Sequence, residues 1–237
     1  MTGARPETRD QERGAMRSPE EEPLLCASCE ERPAVERYAR GGLDEMLCAS
    51  CFERWDVKAA YEGKILHISD LESAGKFDEA IACLDGILEA NRDRDPDGWL
   101  ARSIAHHRVL VFLDAGRYPE ALQASHAWAQ LEFADVSQRW MHATATAQAL
   151  EALGRDREAV AVLEDSLGHE DDEKHLPVAL GVLTELARFS EKLAEPLDPR
   201  WLKIAEAVAK YQGVEMPTES SPAKAILALE EILRSRQ

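Results

Sequence analysis

Residues 25–55 read LCASCEERPAVERYARGGLDEMLCASCFERW, and the tetrapeptide Cys-Ala-Ser-Cys stands in them twice, at Cys26–Cys29 and Cys48–Cys51. Eighteen residues separate the two pairs. Cysteines at i and i+3 in a tight turn aim both sulfurs at one point. Two such turns facing each other make a tetrahedron of thiolates, the closed geometry of structural zinc. The spacing C-x2-C-x18-C-x2-C falls in the range of such sites. With four sulfur ligands no coordination position is left for water, which disfavours catalytic zinc.

Competing uses of the thiols fit less well. Disulfides belong to secreted chains, and the segment MTGARPETRDQERGAMRSPEEEP has no apolar centre of a secretory signal. A redox Cys-x-x-Cys needs one pair, in a strand-to-helix setting. A rubredoxin-type iron site usually carries glycine after the second cysteine of each turn, where this chain has Glu30 and Phe52. Between the pairs, AVERYA predicts a short strand, Arg40–Gly42 a turn and LDEML a returning strand. The second pair runs into CFERWDVKAAYEGKIL, a helical pattern. Cys51 is thereby placed at a helix N-terminus, where free N–H groups and the macrodipole favour a thiolate.

This order of turn, hairpin and turn-on-helix resembles the treble-clef zinc fold over residues 24–60. The resemblance implies a small zinc-stapled module and leaves its job open. So small a module buries too little surface to fold unaided. Zinc supplies on the order of 10–16 kcal/mol in comparable sites.

Beyond Trp55 the pattern is helical throughout, and three segments align: SAGKFDEAIACLDGIL, DAGRYPEALQASHAWAQL and ALGRDREAVAVLEDSL. Each presents glycine, a basic residue, then Glu-Ala: Gly75/Lys76/Glu79/Ala80, Gly116/Arg117/Glu120/Ala121 and Gly154/Arg155/Glu158/Ala159. Glycine is expected to end one helix in a left-handed cap, and alanine to let the next helix approach its partner closely. The pattern resembles the tetratricopeptide repeat, a helix-turn-helix unit of 34 residues. The glycines here are 41 and 38 residues apart, with loops such as NRDRDPDG taking up the excess. Lys64 and His67, Ala105 and Arg108, and Ala143 and Thr146 stand where the family favours an aromatic and a leucine. In that family the first helices of the pairs line a concave groove. The resemblance places Glu62, Ile65 and Ser69, then Ser103, His106 and Leu110, then Met141, Thr144 and Gln148 on it.

The helical patterns HLPVALGVLTELARFSEKL and PRWLKIAEAVAKYQG follow. After the linker GVEMPTESSP, Ser221 is the expected N-cap and Pro222 the first residue of a closing helix. The expected organisation is a disordered tail at 1–22, a zinc module at 23–58, repeats at 59–213 and a linker with capping helix at 214–237. Met16 is an alternative start. The fold class is mostly α, a small four-cysteine treble-clef zinc module fused through a continuous helix to an α-solenoid of tetratricopeptide-like helix pairs.

The 237 residues are 45% hydrophobic, enough for a core, and carry a net charge of −17. Residues 1–22 hold four arginines and six acids, as do residues 23–55, so most of the negative charge lies beyond Trp55. Such a body repels phosphate backbones and anionic head groups, which argues against nucleic acid and membrane partners and favours a basic one. Adjacent His106 and His107 diverge on a helix and cannot share a metal, one expected packed and the other exposed. His169, Asp171, Asp172 and His175 read as a solvated acidic loop, and Cys83 as a small packed apolar side chain. No zinc-protease, phosphate-loop or nucleophile-elbow motif occurs. The expectation is a cytoplasmic, non-catalytic adaptor or scaffold of bacterial style, with structural zinc, binding a protein or peptide. Its rivals are a zinc-module nucleic-acid regulator and an acidic immunity-type inhibitor of a toxin. Oligomeric state is left open.

Overall fold

The computed structural model of the chain describes residues 24–40, 43–95, 97–167 and 176–236. The expected tail at 1–22, the hairpin tip at 41–42 and the loop with His169, Asp171, Asp172 and His175 lie outside the described residues. The chain divides into two compact units, one ending at Trp55 and the other beginning at Asp56.

In the first unit, strands β1 (Glu36–Arg40) and β2 (Leu43–Leu47) pair antiparallel, with Glu36 opposite Leu47 and Tyr38 opposite Glu45. β1 starts two residues later than AVERYA predicts. The reason is local: the Ala34 N–H turns to the Leu24 carbonyl at 2.7 Å, and Leu25 bridges Pro33. Tyr38 and Leu47 are buried. The Tyr38 ring meets Phe52 and Trp55 edge-on, with centroids 5.5 and 5.6 Å away. Its hydroxyl donates to the Trp55 carbonyl at 3.1 Å. The Trp55 Nε1–H donates to Ser28 Oγ at 3.3 Å.

Helix α1 (Ala49–Ser73) carries the chain from one unit into the next. It is followed by α2 (Phe77–Asn91), α3 (Trp99–Asp114), α4 (Tyr118–Ala129), α5 (Val136–Ala152) and α6 (Asp156–Leu167). Then come α7 (Leu176–Leu193), α8 (Pro199–Tyr211) and α9 (Pro222–Arg234). The loop NRDRDPDG contains a 3-10 turn at Arg92–Arg94. Its Asp95 carboxylate accepts the N–H groups of Leu100 and Ala101 at 3.0 and 2.9 Å, satisfying the start of α3.

The three aligned turns share one construction. Gly75, Gly116 and Gly154 have φ of 71°, 69° and 73°. The N–H of the residue after each glycine bonds the carbonyl of Leu71, Phe112 or Leu150 at 2.8 Å, which closes the last helical turn. The basic residue pairs with the glutamate three positions on: Lys76 with Glu79, Arg117 with Glu120, Arg155 with Glu158. Ala80, Ala121 and Ala159 are fully buried, so a larger side chain there would push the helices apart.

Helix α3 packs on α2, α4 and α5; α5 packs on α4, α6 and α7; and α7 packs on α6, α8 and α9. One core is built on Ile68, Leu84, Leu100 and Ile104, and another on Leu163, Leu183, Phe189, Ile226 and Leu229. Each such side chain contributes roughly 1.5–3 kcal/mol on burial. Between them Val109, Trp128 and Ala145 form a smaller cluster. Ser221 caps α9 as its sequence requires, accepting from the Lys224 N–H at 3.2 Å. Cys83 is half-buried against the first core. No described helix is long and apolar enough to cross a membrane.

Candidate metal centre and groove

Cys26 and Cys29 sit in a turn ahead of the hairpin, separated from it by residues 30–35; Cys48 follows β2, and Cys51 lies in the first turn of α1. The turn at residues 26–30 is closed by the Glu30 N–H on the Cys26 carbonyl at 2.9 Å. It is tied to β2 by the Ala27 N–H on the Met46 carbonyl at 3.0 Å. Arg32 donates to Ser50 Oγ at 2.7 Å, linking the loop after one pair to the residue inside the other. The hairpin thus returns the chain so that the pairs face each other.

The four sulfurs all lie within 4.8 Å of one another, and Cys29 Sγ is 4.0 Å from Cys48 Sγ. All four are free thiols, not disulfides. Bonds of about 2.3 Å to a tetrahedral ion would set neighbouring sulfurs about 3.8 Å apart, close to this spacing. Cys26, Cys48 and Cys51 are buried and Cys29 is half-buried, so the site is shielded. The cluster can hold a metal ion.

The electrostatics differ from thiol to thiol, and at Cys51 burial outweighs the expected help of the helix N-terminus. Burial acts to raise the Cys26 thiol, but the backbone N–H groups of Cys48, Cys29 and Ser28 together outweigh it and bring it down to about 6. Backbone groups of Glu31 and Arg32 lower Cys29. Burial pushes Cys51 up to about 12. Two turns therefore already aim donors at sulfur, whereas a buried Cys51 needs a cation nearby to become thiolate.

The expected groove residues separate into two groups. His106, Leu110, Met141, Thr144 and Gln148 come together around one cavity of about 270 Å³, between α3, α5 and α7. Leu110 and Met141 are 37% and 41% exposed there, large apolar side chains left open to solvent. Glu62 and Ser69 are exposed on α1, while Ile65 packs against the first core. Ser103 is half-buried and donates to the Trp99 carbonyl at 2.9 Å. None of these four lines that cavity.

Sequence reasoning missed the rest of the wall: Trp140, Ala145, Gly181 and Val182. A Cβ built on Gly181 would meet nothing within 4 Å. A glycine inside the helical pattern HLPVALGVL was the signal available. His106 and His107 are both half-buried, against the expectation of one packed and one exposed. His106 stacks on Trp128 with centroids 4.8 Å apart, whereas His107 bridges the Tyr61 hydroxyl and the Glu72 carboxylate at 3.1 Å each. They face different partners, as adjacent helical positions must.

No protein-family model matches this chain, and no curated protein or solved structure matches it significantly.

Proposed function

We propose that the protein is a zinc-stabilised, non-catalytic interaction adaptor whose odd-numbered helices present a groove to a protein or peptide. Zinc is the ion best suited to a four-sulfur site with thiolate character. A treble-clef-like arrangement of turn, hairpin and helix would hold it. Reduced thiols suit a cytoplasmic setting.

The helix pairs are taken as tetratricopeptide-like units stacked into a solenoid. The repeated Gly-basic-x-x-Glu-Ala turn supports this, as does the contact of α3 with α5 and of α5 with α7. One observation carries the functional reading. Five of the nine side chains placed on the groove from sequence line a single cavity, and two of them are exposed and apolar. Exposed apolar groups clustered in a concavity mark interaction sites rather than cores. The net charge of −17 favours a partner with basic flanks.

A peptide-display library panned against the full chain tests this. Selected peptides should lose about tenfold in affinity, ~1.4 kcal/mol, on Met141→Glu or Leu110→Glu. They should be indifferent to Ile232→Glu, an exposed position on α9. Peptides that ignore both groove substitutions would refute the assignment.

A further inference from the structure

A second cavity, of about 560 Å³, opens among α2, α3 and α4, away from the nine groove residues. Its size is that of a small-molecule site. Ile81 and Leu88 of α2, Ile104 and Phe112 of α3, and Leu131 just after α4 supply apolar walls. Ala101, Ala105 and Ala124 keep the space between them open. The lining repeats at helical spacing on all three helices, so the cavity is a slot running along α3 for about three turns.

The charges at this slot decide what it can take. Among the described residues, the charged side chains that line it are Asp85, Arg108 and Glu120. Each already has its counter-ion. Arg108 pairs with Asp85, and Glu120 with Arg117 at 3.0 Å. Arg117 also reaches Asp78 at 2.6 Å and so ties the start of α2 to the start of α4. A charged ligand would enter an apolar slot without a free partner, which is costly, or displace one side of a half-exposed pair and leave the other side unmatched. A neutral apolar ligand meets neither penalty.

We propose that the slot among α2, α3 and α4 binds an uncharged lipophilic small molecule, such as a long-chain alcohol or a neutral aromatic. The proposal is independent of the groove of α3, α5 and α7, whose assignment can fail without affecting it.

The test uses the full chain with the neutral dye N-phenyl-1-naphthylamine, followed by fluorescence. Saturable binding at one site per chain is expected, with displacement by dodecanol. Dodecanoate and dodecylammonium should displace it at least about tenfold less well, because each carries an unmatched charge. Ala101→Phe on α3 and Ala124→Phe on α4 fill the slot from two sides, and each should abolish binding while circular dichroism stays helical. Met141→Glu should leave dye binding unchanged. Non-saturable binding would overturn the proposal. So would equal displacement by the charged analogues, or dye binding retained in a folded variant of either alanine. Dye release on self-association through this face would also overturn it, in favour of a second copy as occupant.

Discussion

Glu30 and Ala194 adopt φ of 56° and 52°, the left-handed region that side chains other than glycine enter at a cost of about 1–2 kcal/mol. Glu30 closes the first cysteine turn, at the position where a rubredoxin-type site usually carries glycine. The backbone there is left-handed although the residue is not glycine. Ala194 follows α7, and the next N–H bonds the Ser190 carbonyl at 3.2 Å, the construction found after Gly75, Gly116 and Gly154. It stands 40 residues after Gly154, in step with the earlier spacings. A single side chain therefore hides the fourth turn from the sequence pattern. With that turn hidden, the repeat pattern does not mark α7 as the lead helix of another pair, and the glycine inside its helical pattern is the one sign of Gly181 and Val182. Replacing Ala194 by glycine should stabilise the fold by about 1 kcal/mol, seen as a higher urea midpoint, and Gly116→Ala should destabilise it by a similar amount. A Cβ on Gly116 meets nothing within 4 Å, so backbone strain alone sets the loss. Equal signs for the two substitutions would remove the argument.

At the scale of elements, helix existence was legible because apolar spacing and glycine punctuation agree along most of the chain. Strand limits and side-chain partners were less so, since they depend on residues distant in sequence. The network that joins α5, α6 and α7 is such a case. Glu151 receives both guanidinium nitrogens of Arg188 at 2.6 Å and the Lys192 ammonium at 3.0 Å, and Lys192 also reaches Asp156 at 2.8 Å. The Arg188 hydrogen bonds, helped by Lys192 and opposed by burial, bring the Glu151 carboxyl from its ordinary 4.5 down to about 2. A depressed carboxyl stabilises the fold while it is ionised. Its contribution is complete above the unfolded value and is lost as pH falls from 4.5 towards 2. Glu151→Gln should accordingly cost on the order of 2 kcal/mol at neutral pH, allowing for screening of the half-exposed Arg188. The gap to wild type should close at the acid end of that range. A gap that persists unchanged in acid urea titrations would show that Glu151 stabilises the fold in some other way.

Across the whole molecule, the two units depend on different things. The second is carried by extended apolar cores. Among the described residues of the first, the buried side chains are Cys26, Tyr38, Leu47, Cys48 and Cys51, so three of those five belong to the four-cysteine cluster. A strong chelator should abolish the near-ultraviolet signal of Tyr38 and Trp55 while helicity contributed by α2 to α9 persists, because ion binding and folding of a small metal module are one process. Cys48→Ser should do the same without chelator. The four-cysteine cluster was legible in the sequence, since two closely spaced pairs either side of a predicted hairpin are returned to face each other. The apolar slot among α2, α3 and α4 was not, because its walls come from three helices whose separation no local pattern encodes.

Zinc-edge X-ray absorption on the purified full-length protein tests the central claim most directly. One zinc per chain with four sulfurs at about 2.3 Å is the predicted result. A folded first unit that holds no ion, or an ion with nitrogen or oxygen in place of any of the four sulfurs, would contradict it.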